Sequence, residues 1–270
     1  MPELIEVELY RAAAEEVVGR RITEVSTPDP AYVKGGADPL SLRLALIGAT
    51  VLAARRHGKL LLLDMGSGES GESGDSGSTT VGLHFGMTGR LVVDGTAPIA
   101  RLEYSSGRDL PAWTRFGLGF EHGGDLRISD PRRLGGVTLD PDLAHLGPDA
   151  LALGERELSA VLSRSRRPLK ARLLDQSAIA GIGNLICDET LWQARLAPTR
   201  RADSLGRVEV RTLRTTLRRV VTRLTRRGGS HTGQLQDHRR PGGSCPRCGN
   251  PLSHASVGGR STWWCPSEQV

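Results

Sequence analysis

The chain has no apolar run that could cross a bilayer: nowhere in its 270 residues do eighteen hydrophobic residues follow one another. Nor does the N-terminus read as a secretory leader: MPELIEVELY is acidic and amphipathic where a leader would be basic and then apolar. A soluble, cytoplasmic protein is the expectation. Cysteine is scarce, with only Cys187, Cys245, Cys248 and Cys265. Three of the four fall in the last 26 residues, a clustering that suits a metal site in a reducing compartment better than a disulfide framework. Lysine is nearly absent as well. Lys34, Lys59 and Lys170 stand against 33 arginines, so each lysine merits inspection.

What is present excludes disorder throughout, since 38% of the residues are hydrophobic and the length suffices for one large domain or two ordinary ones. The formal net charge is +6, unevenly spread: residues 1–154 carry net −6 and residues 155–270 net +12. That asymmetry points to a polyanionic partner engaged mainly by the C-terminal half.

Apolar Leu4, Val7, Leu9, Ala12, Ala13 and Val17 recur at helical spacing, which predicts an amphipathic helix over about 3–18. From residue 22 to about 139 short β-branched or leucine runs alternate with Gly, Asp and Pro, as in a β-sheet domain, sandwich-like or barrel-like. The Gly/Ser/acidic stretch at 66–80 reads as a flexible hairpin insertion without function of its own. DPDLAHLGPD, residues 140–149, marks a boundary, and helices are expected at about 155–164, 168–177, 184–195 and 205–226. The fold class is therefore α+β. A β-sandwich domain with a leading helix spans 1–139, a linker 140–154, a basic helical domain 155–228, and a loop with a cysteine-bearing module 229–270.

CPRC at 245–248 followed by CP at 265–266 has the spacing of two knuckles around a structural Zn²⁺. The fourth position is Glu268. It could complete the site, His254 could do so instead, or the hairpin could fold without metal. In KARLLDQSAIAGIGNLICDE, Asp175 and Gln176 close one helix and Asn184 opens the next, behind a glycine turn. Backbone amides around Gly181 to Asn184 make that N-terminus a potential phosphate site.

MPELIEVE, HGKLLLL, LHFGMTGRL, SDPRRLG, LGPDAL, the LLDQ…AGIGN turn and the terminal hairpin with GGRSTWWC occur in that order over essentially the whole chain. Together they resemble the formamidopyrimidine-DNA glycosylase / endonuclease VIII family of base-excision repair enzymes. The resemblance implies a bifunctional DNA glycosylase and abasic-site lyase with a helix-two-turn-helix domain over 155–228, acting on damaged double-stranded DNA; a monomer is expected because no heptad or interface stripe stands out in the sequence. It makes Pro2, freed by removal of the initiator methionine, the nucleophile: a secondary amine whose attack on the sugar gives an iminium that eases strand elimination. Glu3 becomes the general acid and Glu6 a supporting acid one helical turn on. Lys59, His84, Lys170, Asn184 and Arg260 become DNA contacts, Lys59 and Arg260 gripping phosphates at the reacting nucleotide. Met87, Arg132 and Leu134 fill the gap left by the extruded base.

Four departures qualify this. Ile5 replaces a proline of the family pattern, Leu134 an aromatic wedge, and Glu268 the fourth metal ligand, while 229–244 is too short for the segment that caps flipped 8-oxoguanine. Ring-opened purines, oxidised pyrimidines, abasic sites or bulkier adducts remain open as lesions, and the alternative is a damage-binding protein without turnover.

Overall fold

The computed structural model describes residues 2–270 except 67–78, 101 and 104–106. The chain divides into two compact units, Pro2 with Glu6–Leu143, and Glu3–Ile5 with Ala144–Val270.

From Glu6 on, the first unit contains helix α1, whose full span is Leu4–Ala14. Its apolar spacing buries Val7, Tyr10 and Ala14 in the main core, as the periodicity requires. Two four-stranded antiparallel sheets follow. One has the order β1 (Ile22–Ser26), β6 (Thr114–Phe120), β7 (Asp125–Ser129), β5 (Arg90–Val93); the other β2 (Thr50–His57), β3 (Leu60–Gly66), β4 (Thr79–His84), β8 (Gly136–Leu139). Alternation places Leu61, Leu63, Met65, Val81 and Leu83 of the second sheet in one cluster with Phe116, Leu118, Leu126 and Ile128 of the first. Helix α2, Pro39–Leu46, escaped the sequence reading. It is short, but Asp38 caps it by accepting the Ser41 amide at 2.7 Å, Pro39 sits in its first turn, and Leu42 and Leu46 are buried. The pairing of β3 with β4 runs out to Met65 opposite Thr79. Most of the 66–80 insertion, residues 67–78, lies outside the described residues.

In the second unit come helices α3 (Glu155–Ser163), α4 (Leu169–Leu173), α5 (Asn184–Ala194) and α6 (Arg207–Arg226), then the hairpin β9 (Ser253–Val257) and β10 (Arg260–Trp264). Glu157 and Glu209 reach back to the amides of Gly154 and Gly206, closing the first turns of α3 and α6. The helix expected over 168–177 stops at Leu173. Asp175 captures the Ser177 amide and hydroxyl, the latter at 2.7 Å, and this local competition turns the chain. Helix α6 buries Val210, Leu213, Leu217, Val220 and Leu224 and turns Arg211, Arg218, Arg219 and Arg226 outward.

Candidate active site and nucleic-acid interface

The Gly-rich turn before α5 is built by Gln176, whose side-chain amide donates to the Leu174 and Ile182 carbonyls while its oxygen accepts the Gly181 amide at 3.0 Å. The glycines serve a close approach. A Cβ on Gly183 would lie 2.1 Å from Cδ of Glu3, so only glycine admits that side chain. Glu3, 1% exposed, accepts the backbone amides of Leu185 at 2.9 Å and Ile186 at 3.0 Å. The acceptor at the N-terminus of α5 is thus the protein's own Glu3 carboxyl group and not a phosphate, which corrects the sequence reading of those amides. Asn184, the first helical residue, has a buried Oδ1 without a hydrogen-bond partner.

In the first unit Pro2 and Glu6 are buried, Glu6 in the first turn of α1. Lys59 follows Gly58, whose φ of +57° makes the tight β2–β3 turn, and is half-buried beside the strands. His84 ends β4. Its Nδ1 accepts the Gly86 amide at 3.2 Å, and burial, then the nearby Lys59 charge, hold its pKa below the ordinary value. A neutral ring accepting at Nδ1 carries its proton on Nε2, the donor a phosphate oxygen would need. Met87 lies half-buried in the turn after β4, and Arg132 and Leu134 are exposed in the loop after β7, Leu134 at 48%. Arg133 makes a bidentate pair with Asp29 at 2.6 and 2.7 Å, which holds the Asp29 carboxyl below its usual range.

Lys170 was expected at the DNA surface, and the structure corrects this. It is fully buried, 2.6 Å from Asp188, and donates to the Ser261 carbonyl of β10 at 3.1 Å. Arg239, from the short segment after α6, meets the same aspartate at 3.0 Å. Burial pushes the Asp188 carboxyl up, against the pull of the two cations. Arg260 is exposed at the closing turn of the hairpin, next to the strand residue that Lys170 holds. The same post-α6 segment is fixed by Glu189, which accepts the Leu235 amide at 2.9 Å and pairs with Arg223 at 2.7 Å.

The sulfurs of Cys245, Cys248 and Cys265 all lie within 4.8 Å of one another, Cys248 and Cys265 at 3.5 Å. Zinc–sulfur bonds of about 2.3 Å put tetrahedral thiolates roughly 3.8 Å apart, so the three fit a zinc ion. Trp192 donates to Cys245 at 3.3 Å; against the upward push of burial, this and the backbone amides bring its thiol down to about 7, whereas burial pushes Cys265 up to about 11. Neither expected fourth ligand joins them. Glu268 is drawn off by Arg247 at 2.9 Å and Arg195 at 3.4 Å, and His254 stacks on Trp263 with Nε2 3.0 Å from the Ser261 hydroxyl. Gln269 instead secures the last knuckle by accepting the Cys265 amide and donating to the Leu196 carbonyl, both at 2.9 Å. Bound zinc would act as a structural cross-link.

Three family models match in order along the chain: the formamidopyrimidine-DNA glycosylase N-terminal domain over residues 1–137, the H2TH domain of the same enzymes over 146–235, and the zinc finger found in FPG and IleRS over 242–267. The formamidopyrimidine-DNA glycosylase of Cereibacter sphaeroides is 35% identical over the full length of both chains. The chain belongs to the formamidopyrimidine-DNA glycosylase family. A second relative with that name, from Symbiobacterium thermophilum, is 34% identical over 98% of this chain and 88% of its own. Among solved structures, Lactococcus lactis Fpg in complex with DNA containing N7-benzyl-Fapy-dG aligns with a TM-score of 0.79 and 25% identity over 99% of both chains. The sequence reading took Gln176 only as a helix end and assigned no role to Asp188 or Arg239, which meet 51 residues apart and carry no local signal of that contact.

Proposed function

We propose that this glycosylase excises damaged bases from duplex DNA with Pro2 as nucleophile and then nicks the strand as a lyase. Once Met1 is removed, the Pro2 nitrogen is a secondary amine. It forms a bond to the sugar C1′ as the glycosidic bond breaks, the electron pair leaving with the base, which takes up a proton. The nitrogen, having lost its proton, then drives open the C1′–O4′ bond to give the iminium, which acidifies the adjacent C2′ hydrogen so that its removal expels the 3′-phosphate. Glu3 is the acid that opens the sugar ring; two backbone amides hold it in place, so it need not be ordered when substrate arrives. Glu6 supports it from the first turn of α1.

In this reading Lys59, His84, Asn184 and Arg260 hold phosphates and Met87, Arg132 and Leu134 occupy the vacated space. Zinc braces the hairpin that carries Arg260. The post-α6 segment is pinned by Glu189 and Asp188 and supplies no long cap over a flipped base, which favours ring-opened purines, oxidised pyrimidines and abasic sites over 8-oxoguanine. The enzyme works as a monomer in the cytoplasm. The observation that carries the reading is Glu3 locked onto α5 immediately after the candidate nucleophile. Borohydride trapping on duplexes with each lesion should give a covalent adduct that Pro2→Gly abolishes. Binding without any adduct would leave a damage-binding protein.

A further inference from the structure

The geometry points to Asp130 as a positioning residue that locks the Met87 turn and the Arg132–Leu134 loop into one rigid wedge; this rests on the reading above that both enter the gap in the duplex. Asp130 is wholly buried between the two segments. One carboxylate oxygen accepts the Thr88 hydroxyl at 2.6 Å and the Arg132 amide at 3.2 Å. The other accepts the amides of Leu134 and Gly135, each at 3.0 Å, and the Tyr32 hydroxyl at 3.2 Å. Its carbonyl accepts Arg115 Nε at 2.9 Å. One side chain thus grips the residue after Met87 and the backbone on both sides of Arg133.

Two glycines show how closely the segments interlock. A Cβ on Gly86 would lie 2.4 Å from the Leu134 carbonyl carbon, and one on Gly135 would lie 2.1 Å from the Tyr32 hydroxyl and 2.4 Å from the His84 carbonyl oxygen. Neither segment has room to move without the other. A wedge held in this way meets DNA pre-ordered and loses little conformational freedom on insertion. That matters here because Leu134 stacks less well than an aromatic would.

The test uses a duplex with 2-aminopurine opposite a tetrahydrofuran abasic analogue, whose fluorescence reports side chains entering the stack. Met87→Ala and Leu134→Ala each lower the signal. Thr88→Val keeps the shape but removes one bond to a charged acceptor, shifting the locked-to-loose balance of the Met87 turn on the order of tenfold. It should lose the signal that Met87→Ala loses, add nothing when combined with Met87→Ala, and be rescued by Thr88→Ser. Asp130→Asn puts an NH₂ against hydrogen-bond donors and should lose the contribution of both loops. A wild-type response from Thr88→Val, with Met87→Ala still impaired, overturns the coupling. A signal indifferent to both Met87→Ala and Leu134→Ala overturns the insertion reading itself, and the coupling with it.

Discussion

Replacing Lys170 with methionine asks what the buried charge cluster of the second unit contributes. The lysine is fully buried and Asp188 almost so, at 2.6 Å, so solvent does not screen the pair. Removing one partner of such a pair typically costs about 3–5 kcal/mol, because the other charge is left without compensation. Arg239 still meets Asp188 at 3.0 Å, which puts the expected loss near the lower end, about 3 kcal/mol. Three of the four tryptophans, Trp192, Trp263 and Trp264, belong to this unit, so urea unfolding followed by tryptophan emission, with Trp113 of the first unit replaced by phenylalanine, reads it directly. Adding Asp188→Asn to Lys170→Met should deepen the loss, because the nearly buried Arg239 then loses the carboxylate that balances it at 3.0 Å. The pH trend has a fixed sign. Burial already raises the folded pKa of Asp188 and Lys170 opposes that rise, so the variant's pKa goes higher still. A carboxyl with its folded pKa above its unfolded one favours the native state when protonated, and the variant's deficit should shrink as pH falls and grow as it rises. A variant that unfolds at the wild-type midpoint, with no pH trend, would refute the ion pair.

Gly183→Ala should expel Glu3 from its two amides and lower borohydride trapping much more than duplex binding; equal effects on both would show that Glu3 is not held for chemistry. Purified protein should contain about one zinc per chain, and a chelator should loosen the hairpin and weaken DNA binding; protein folded and active without metal would refute the three-cysteine site. Leu134→Phe should tighten binding to an abasic duplex by restoring stacking area, and unchanged affinity would place Leu134 outside the stack. His84 has a folded pKa below its ordinary 6.5, so its stabilising acceptance of the Gly86 amide is complete above that pH and is lost in acid; a His84→Asn variant with the same acid profile would remove the histidine as its source.

Periodicity carried much of the architecture. Helix α6, with apolar residues every three or four positions, and β3 and β4, with their tightly spaced hydrophobic residues, were legible because burial writes itself into local spacing. What was misread depends on partners remote in sequence. Lys170 reads as a surface cation until Asp188 and Arg239 close around it, and Glu268 reads as a ligand until Arg247 and Arg195 take its carboxylate. Helix α4 reads too long because nothing in its apolar pattern shows that Asp175 will capture the Ser177 amide. Asp130 stood inside a recognised motif, yet its part in joining two loops depends on Thr88 and Tyr32, 42 and 98 residues away.

The in-register closure of β3 on β4 at Met65 and Thr79 has a consequence for how this protein can diverge or be altered. The strands are zipped up to that point, so the pairing is complete at residues 65 and 79. Doubling the length of a connection closed in this way costs only about 0.6 kcal/mol. Descendants of this chain can therefore lengthen, shorten or replace the peptide between the two strands with little effect on folding, and an affinity tag or fluorophore grafted there should leave the repair chemistry intact.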